Sequence, residues 1–308
     1  MSRQQVVNEL HKPARKNFAR RKVKIKGIDD LWQADLAEMG AYAKINKEFK
    51  YLLTVIDAFS KFAWVKPIKN KTAKEVANAL AQIFQSSKRI PKNLQTDHGK
   101  EFYNTTFKNI MKKHNINHYS SYSFLKASIV ERFNRTLKEK MWKMFSFRGS
   151  YKWYDILANI VDEYNNSQHR TIKMAPVDVN NKKVEQRLLN SVFNYAPRIT
   201  MKCKFKIGNH VRISKFKKNF EKGYTPNWSP EIFTISHVYN KYPVTYLIKD
   251  YQGQSIAGRF YEYELQKVKN PNVYLVEKIL QRKGNKIKVK WLGFDESRAS
   301  WIKKEDFI

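Results

Sequence analysis

Residues 31–68, LWQADLAEMGAYAKINKEFKYLLTVIDAFSKFAWVKPI, decide how the first half of this 308-residue chain folds. Three segments in this stretch are rich in aromatic and β-branched residues: LWQADLAEM (31–39), FKYLLTVIDAF (49–59) and FAWVKPI (62–68). Segments of this kind, joined by short connections, are typical of consecutive β-strands. The stretch therefore predicts three successive strands of one sheet.

Strand and helix patterns alternate after this stretch. Apolar residues recur at helical spacing over 72–87, and Thr72 with Glu75 forms a capping box at its start. The further predicted elements are a strand over 92–97, a helix over 104–114, a strand over 116–120, and helices over 128–146 and 151–167. Three hairpin-like strands followed by alternating elements predict an α/β domain, a mixed five-stranded sheet with helices on both faces.

The charge of the chain points to a polyanionic partner. Lys and Arg number 60 against 27 Asp and Glu, which gives a net charge of +33. Neutralising phosphates releases condensed counterions, so nucleic acid is the leading candidate. A membrane surface is the weaker alternative, because the sequence has neither a long apolar run nor a signal segment.

Cysteine and histidine usage argues against a zinc site. Cys203 is the only cysteine, and among the seven histidines only His114 and His118 fall at an H-x-x-x-H spacing. One cysteine builds neither a disulfide framework nor a cysteine-rich zinc site, which fits a reducing compartment.

Three carboxylates fall at positions where they could meet. Asp35 lies mid-strand, Asp97 ends a strand, and Glu131 opens an otherwise basic helix. If the first and fourth strands are neighbours, the two aspartates lie side by side and the helix brings Glu131 to them. Converging carboxylates require divalent cations, and two Mg²⁺ or Mn²⁺ ions about 3.5–4 Å apart suit phosphodiester chemistry. Taken singly, each carboxylate is better explained as a structural group, and Glu131 as an ion-pair partner of Arg135.

Several sequence blocks in order carry a family resemblance: WQADLAEM (32–39), LQTDHGKEFYN (94–104), ASIVERFNRTLKEKMW (127–142) and EYNNSQHRTIKMAPVDV (163–179). They resemble the catalytic core of retroviral-type integrases and their transposon relatives, most of all those of Polinton (Maverick) elements and related viruses. The resemblance covers about residues 12–180. It implies a ribonuclease-H-like core over 27–180 with Asp35, Asp97 and Glu131 as a metal-binding catalytic triad.

The same resemblance implies how DNA is held. Arg135 and Lys138, on the helix stripe that begins at Glu131, occupy positions that grip the donor DNA end. Tyr122 and Lys126 lie in the preceding loop and are expected to contact DNA there. The partners implied are the element's terminal repeats and target DNA, bound by a homo-oligomer, at least a tetramer, in the nucleus of a eukaryotic host. One cysteine cannot supply the zinc-binding N-terminal module of retroviral integrases, so either assembly is organised differently or that module lies outside this chain.

The segments on either side of this core have distinct textures. Residues 1–26 carry one acidic residue among many Lys and Arg, which predicts a flexible basic arm. Residues 181–200 are expected to be a linker. Short alternating strands over 201–268 predict a small barrel that resembles the SH3-like C-terminal domain of integrases. The basic residues Lys215, Lys217 and Lys218 are expected to face DNA phosphates; the alternative is a purely structural barrel.

The last segment, 272–308, resembles a chromodomain, a small β+α fold. Its landmarks place Tyr274, Trp291 and Phe294 at the positions of an aromatic cage for methylated lysine, which binds the cation by cation–π attraction. A methylated histone tail is the implied partner. The alternative is that these rings only fill the core of a small domain.

Three functions are compatible with the sequence. The first is a DNA integrase or transposase that processes the 3′ ends of a mobile element and joins them to target DNA. The second is a catalytically idle, domesticated chromatin- or DNA-binding protein, and the third is a nuclease of the ribonuclease H type. Retention of all three carboxylates and the presence of two accessory domains favour the first.

Overall fold

The predicted mixed sheet is confirmed, and it has five strands. The computed structural model describes residues 3–15, 17–21, 23–120, 128–195, 200–215 and 224–307. The strands of this sheet are β1 Leu31–Glu38, β2 Tyr51–Asp57, β3 Ala63–Ile68, β4 Asn93–Thr96 and β5 Asn117–Ser120. Their order is β3-β2-β1-β4-β5, with β1 antiparallel to β2 and parallel to β4.

The chain divides into two units, one of residues 23–196 and the other of residues 1–22 with 197–308. The helices in chain order are α1 Arg3–His11, α2 Ala73–Ser87, α3 Thr105–Lys113, α4 Ser128–Arg148, α5 Leu157–Asn166 and α6 Lys182–Ser191. All but α1 belong to the unit that contains the five-stranded sheet. None of the helices in the described part of the chain combines the length and apolarity needed to cross a bilayer.

Both faces of the five-stranded sheet are covered by helices because side chains alternate along each strand. On one face, Leu53 of β2 packs in a buried cluster with Val76 and Leu80 of α2. On the other, Leu52 packs with Val130 and Phe133 of α4. The amphipathic pattern of α4 thus fixes which of its stripes remains free for function.

Helix α5 begins six residues later than the sequence pattern predicts. The backbone N–H groups of Trp153 and Tyr154 donate to Oδ1 of Asn46, over 2.7 and 3.1 Å. These bonds hold residues 151–156 out of the helix and bury the Trp153 side chain completely. A contact between residues more than a hundred positions apart leaves no local signal.

The predicted linker over 181–200 differs from the structure, which places α6 there. Asn181 caps this helix by accepting from the backbone N–H of Val184 over 3.0 Å. Leu188 is buried with Phe59 and Phe193, and the two rings stack 4.6 Å apart. The α/β unit therefore extends beyond the predicted boundary at residue 180.

The second unit contains two antiparallel sheets. The first consists of β6 His210–Ile213, β7 Phe233–Tyr239, β8 Thr245–Lys249, β9 Phe260–Tyr261 and β10 Leu265–Lys267, in the order β10-β6-β7-β8-β9. The second consists of β11 Val276–Lys283, β12 Lys286–Trp291 and β13 Ser300–Lys303. The β-strands expected over 201–268 are present. In the terminal segment the structure has a 3₁₀ turn, Lys304–Phe307, where the chromodomain resemblance implies a helix.

The N-terminal segment differs from the predicted flexible arm. Helix α1 buries Val6 and Leu10, and the carbonyl of Leu10 accepts from the N–H groups of Asn227 and Trp228 over 2.9 and 3.2 Å. The indole N–H of Trp228 donates to the carbonyl of Lys12 over 2.8 Å. The segment is thus a packed part of the all-β unit.

Two side-chain contacts extend this packing. Arg212 of β6 is only 2% exposed, and its Nε lies 3.9 Å from Oε2 of Glu9, the single acid of the segment. Phe18 lies 5.6 Å from the ring of Tyr261 and 5.5 Å from that of Tyr263. The N-terminal segment, which its charge predicts to be a flexible arm, is instead held in place by buried apolar side chains and a buried ion pair.

Replacing the buried helix anchor should destabilise the all-β unit. We expect Leu10→Ala to lower its free energy of unfolding by about 2–5 kcal/mol, because a buried leucine is lost and a cavity remains. Chemical denaturation of the full chain, with amide hydrogen exchange reporting on β6–β10, measures this. Leu280→Ala, at an exposed leucine of the same unit, is the control and should change stability by less than about 0.5 kcal/mol. Equal effects would contradict the packed position of α1.

Candidate active site

The parallel pairing of β1 with β4 brings the first two predicted carboxylates to one edge of the sheet. Gln33 pairs with Gln95 in this register, and Asp35 and Asp97 each lie two residues further along. Because side chains alternate with a period of two, each aspartate is on the same face as the glutamine that precedes it. Both aspartates are partly exposed. This is the adjacency that the sequence predicts.

A buried glutamine pair fixes the helix that carries the third carboxylate. Oε1 of Gln33 accepts from the backbone N–H groups of Ile129 and Val130 over 3.0 Å each. Its Nε2 donates to Oε1 of Gln95 over 2.9 Å. Gln33 and Gln95 are 2% and 6% exposed, so one side chain links β1, β4 and the first turn of α4. Glu131 follows one residue after the capped N–H groups.

The environment of Asp35 is one of unbalanced negative charge. Burial raises the pKa of its carboxyl, and the charges of Asp97 and Glu131 raise it further. The backbone N–H of Leu36 and the side chain of Asn134 oppose this rise. Nδ2 of Asn134 donates to Oδ2 of Asp35 over 2.8 Å. Asp97 and Glu131 thus both lie close enough for their charges to act on Asp35.

This donor set suits a hard divalent cation, because carboxylate oxygens are the ligands that Mg²⁺ and Mn²⁺ prefer. A cation among them would offset the repulsion that raises the pKa of Asp35. Among the described residues, no group of three or more His, Cys, Asp or Glu side chains is spaced so as to hold a metal ion.

Glu131, Arg135 and Lys138 lie on one stripe of α4, as the spacing predicts. Glu131 and Arg135 are exposed, whereas Lys138 is partly buried. The stripe flanks the side of α4 that contacts Asp35 through Asn134. Its cations can therefore meet a ligand that approaches the carboxylates.

The remaining predicted DNA contacts are only partly described. Tyr122, Lys126, Lys217 and Lys218 lie outside the described residues. Lys215 is exposed directly after β6, where its backbone N–H donates to the carbonyl of Asn227 over 2.7 Å.

The structure brings the three predicted cage rings together. The ring of Tyr274 lies 6.1 Å from that of Trp291 and 5.6 Å from that of Phe294, both edge-on. A fourth ring, that of Tyr251, lies 5.6 Å from Phe294. Sequence reasoning missed Tyr251 because it belongs to the turn after β8. Trp301, which the resemblance assigns to the core, is 41% exposed.

Comparison with known proteins gives this geometry a family context. Residues 27–122, which include Asp35 and Asp97 and end before Glu131, match the family described as integrase core domain. The chain carries a retroviral-type integrase core domain. Relatives of this integrase core occur in transposon-derived proteins and in retroviral Pol proteins.

Two curated relatives illustrate the range. A putative uncharacterized transposon-derived protein of Caenorhabditis elegans is 36% identical over 195 residues, which is 63% of this chain and 65% of that protein. The Gag-Pol polyprotein of feline leukemia virus is 31% identical over 140 residues, 44% of this chain and 8% of the polyprotein. The chain thus spans less than two thirds of either relative.

A solved structure shares the fold over most of the chain. The simian T-cell lymphotropic virus intasome, solved in complex with the PP2A regulatory subunit B56 gamma, aligns with a TM-score of 0.60 at 15% identity. The alignment covers 87% of this chain and 91% of that one. This agrees with the ribonuclease-H-like core expected from the sequence.

Removing one charge from the integrase core should stabilise it in metal-free buffer at neutral pH. Because the pKa of Asp35 is raised in the folded state, its ionisation opposes folding above the ordinary Asp range near pH 4. Asp35→Asn should therefore raise the melting temperature at pH 7.5, and the difference should vanish as the pH falls below about 4.

Asp155→Asn is the matched control, because Asp155 forms an exposed ion pair with Arg148 over 3.0 Å. That variant should not gain stability at pH 7.5, since exposed pairs contribute about 0–1 kcal/mol. A melting temperature of Asp35→Asn at or below that of the parent chain would contradict the raised pKa of Asp35, which arises from burial and from the neighbouring carboxylates.

Proposed function

We propose that the chain is a DNA integrase or transposase that processes the 3′ ends of a mobile element or viral DNA and joins them to target DNA. The main support is the set of Asp35, Asp97 and Glu131, held in charge contact at one edge of an integrase core. The wording of the sequence blocks favours the Polinton (Maverick) group as its source.

The chemistry consists of two phosphodiester displacements. In the first, a water oxygen attacks a phosphorus atom near the 3′ end, and the bond to the departing 3′ oxygen breaks. In the second, the freed 3′ hydroxyl attacks a phosphorus atom of target DNA, displaces another 3′ oxygen and forms the new strand joint. Each step exchanges one P–O bond for another, so no covalent protein intermediate is required.

Asp35, Asp97 and Glu131 would hold Mg²⁺ or Mn²⁺, two ions in our proposal. Bound there, the metal supplies activation of the attacking oxygen and neutralisation of the charge on the leaving oxygen. Gln33 and Gln95 keep the carboxylates in register by fixing the first turn of α4 to the sheet.

Arg135 and Lys138 act beside the reacting atoms by holding the donor DNA end. The net charge of +33 supports a larger DNA-binding surface, to which Lys215 and the barrel would contribute. A homo-oligomer on DNA, a tetramer or larger, follows from the family resemblance, as does a nuclear location.

Charge-neutral replacement of Glu131 tests the proposal most directly. Glu131→Gln should reduce joining of terminal-repeat duplexes to target DNA by more than about 100-fold, since even outer groups at metal sites contribute 10–100-fold. Strand-transfer assays with Mg²⁺ or Mn²⁺ measure this. DNA affinity should remain within about twofold of the parent, because the amide is nearly isosteric.

Asp35→Asn and Asp97→Asn should behave like Glu131→Gln. Glu139→Gln, about two turns further along the exposed side of α4, is the matched control. Substantial joining by any of the three variants would refute their assignment. Cleavage without joining by the parent chain would favour the ribonuclease-H-type nuclease. DNA binding without either activity would favour a domesticated binding protein.

The terminal domains are proposed to direct integration to chromatin. The ring of Tyr274 lies edge-on to those of Trp291 and Phe294. Each ring would attract a methylated ammonium by about 0.5–2 kcal/mol through cation–π interaction. Tyr251 would add a fourth wall, although the guanidinium of Arg298 already lies 5.0 Å from its ring. The proposed units are an SH3-like barrel and a chromodomain.

Binding of the full chain to histone H3 tail peptides tests this targeting role. A trimethyl-lysine peptide should bind at least about tenfold more tightly than its unmodified form, or about 1.4 kcal/mol, by calorimetric titration. Trp291→Ala should abolish the preference, whereas Trp301→Ala, at an exposed tryptophan of the same sheet, should retain it. Equal affinity for both peptides would leave the rings with a structural role.

A further inference from the structure

A cavity of about 410 Å³ lies on the flank of α4 that faces away from the Glu131 stripe. Its walls come from α4, from the turn between β2 and β3, and from the end of α5 with the segment that follows. Arg132, Thr136 and Lys140 recur every four residues and form the α4 wall. The cavity is therefore separate from the carboxylate site and shares its helix.

The lining of this cavity is strongly cationic. Its basic residues are Lys61, Arg132, Lys140, His169 and Arg170, and none of its described lining residues is Asp or Glu. Lys140 is already paired with Glu163 over 2.6 Å. Within the described ranges, neither Arg132 nor Arg170 has a carboxylate at ion-pair distance, and both are exposed at the rim.

Lys61 provides a fixed positive charge at the β2–β3 turn. Only 6% exposed, its ammonium donates to the carbonyl of Ala58 over 2.6 Å. The nearby carboxylate of Asp57 is paired with Arg89 over 2.7 Å. Burial lowers the pKa of Lys61 to about 8; the charge of Asp57 opposes this fall, and that of Arg132 adds to it. An anion in the cavity would offset the effects of burial and of Arg132.

His169 contributes a neutral hydrogen-bond donor. Burial, with the charges of Lys61, Arg132 and Arg170, lowers the pKa of His169 to about 4. Its Nδ1 accepts from the backbone N–H of Thr171 over 3.2 Å, so the ring proton is on Nε2. The hydroxyl groups of Ser128, Tyr164 and Thr171 also line the cavity. Those of Thr136 and Ser167 donate to the carbonyls of Arg132 and Glu163 over 3.1 and 2.6 Å.

We propose that this cavity binds backbone phosphates of a DNA strand, a contact additional to the Arg135 and Lys138 stripe; this rests on the proposed DNA-joining function. The four groups that fit phosphate oxygens are the cations of Lys61, Arg132 and Arg170 and the Nε2–H donor of His169. No carboxylate of a described residue lines the cavity beside them. The source is a nucleic-acid backbone because the cavity opens at Arg132, which directly follows Glu131. Arg135 continues the positive surface from there toward the carboxylates, so a strand can extend from the reaction centre across α4 into the cavity.

Paired charge removal in the full chain tests the proposal. The variant Arg132→Ala/Arg170→Ala should bind a duplex oligonucleotide on the order of tenfold more weakly in metal-free buffer. The slope of log affinity against log salt should fall by about 1–2, since each phosphate contact contributes about 0.9. The Arg132→Lys/Arg170→Lys variant should restore most of the slope, which excludes a loss due to misfolding.

Lys143→Ala/Lys152→Ala removes two exposed charges from the same unit outside the cavity and is the matched control. The proposal is overturned if this control and the arginine variant change the slope equally. A second measurement follows the NMR resonances of the His169 imidazole. A response to the duplex supports the proposal, whereas a response to inorganic phosphate with none to the duplex assigns a free-phosphate site and overturns it.

These outcomes are separable from failure of the proposed function. If the parent chain joins no DNA, the salt slope of the arginine variant still decides whether the cavity binds a backbone. If joining occurs and the slope is unchanged, the cavity proposal alone fails.

Discussion

The parallel contact between β1 and β4 is the constraint on which the candidate active site depends. It sets Gln33 opposite Gln95, and their hydrogen bond lets the remaining oxygen of Gln33 bind two backbone N–H groups at the start of α4. Gln33 and Gln95 are buried, so loss of one partner would leave the other's polar groups unsatisfied at about 1–3 kcal/mol each. The position of Glu131 is therefore tied to the same contact that places Asp35 beside Asp97.

Much of the α/β fold could be read from the sequence because its signals are local. The apolar runs of β1 to β3, the helical spacing of α2 and the Thr72 cap all occur within a few residues of one another. The start of α5 and the docking of α1 could not be read in this way. Both depend on partners far along the chain, Asn46 for Trp153 and Trp228 for Lys12.

The features of the candidate site also divide into those with a local sequence signal and those that depend on distant residues. Adjacency of Asp35 and Asp97 follows from strand order, and the stripe of Glu131 follows from helical period. Gln33 has no such signal, because a polar residue in a strand looks ordinary until its three partners are known. The cationic cavity is equally hidden, since Lys61, Arg132 and Arg170 come from three separate elements. The sequence predicted the three rings of the terminal segment. It gave no signal for Tyr251, because that residue belongs to a separate element, the turn after β8.

The packing of α1 has a consequence for how the chain is made. Residues 23–196 are inserted between the two parts of the all-β unit. The inserted unit is therefore synthesised before the later residues that pack against α1. Burial of Val6 and Leu10 requires residues more than 200 positions later in the chain. Lys12 and Trp228, which form one of the hydrogen bonds of this packing, are 216 residues apart. Long-range contacts of this kind form late, after the local ones have closed the intervening chain. Helix α1 is thus synthesised before the inserted unit and buried after it.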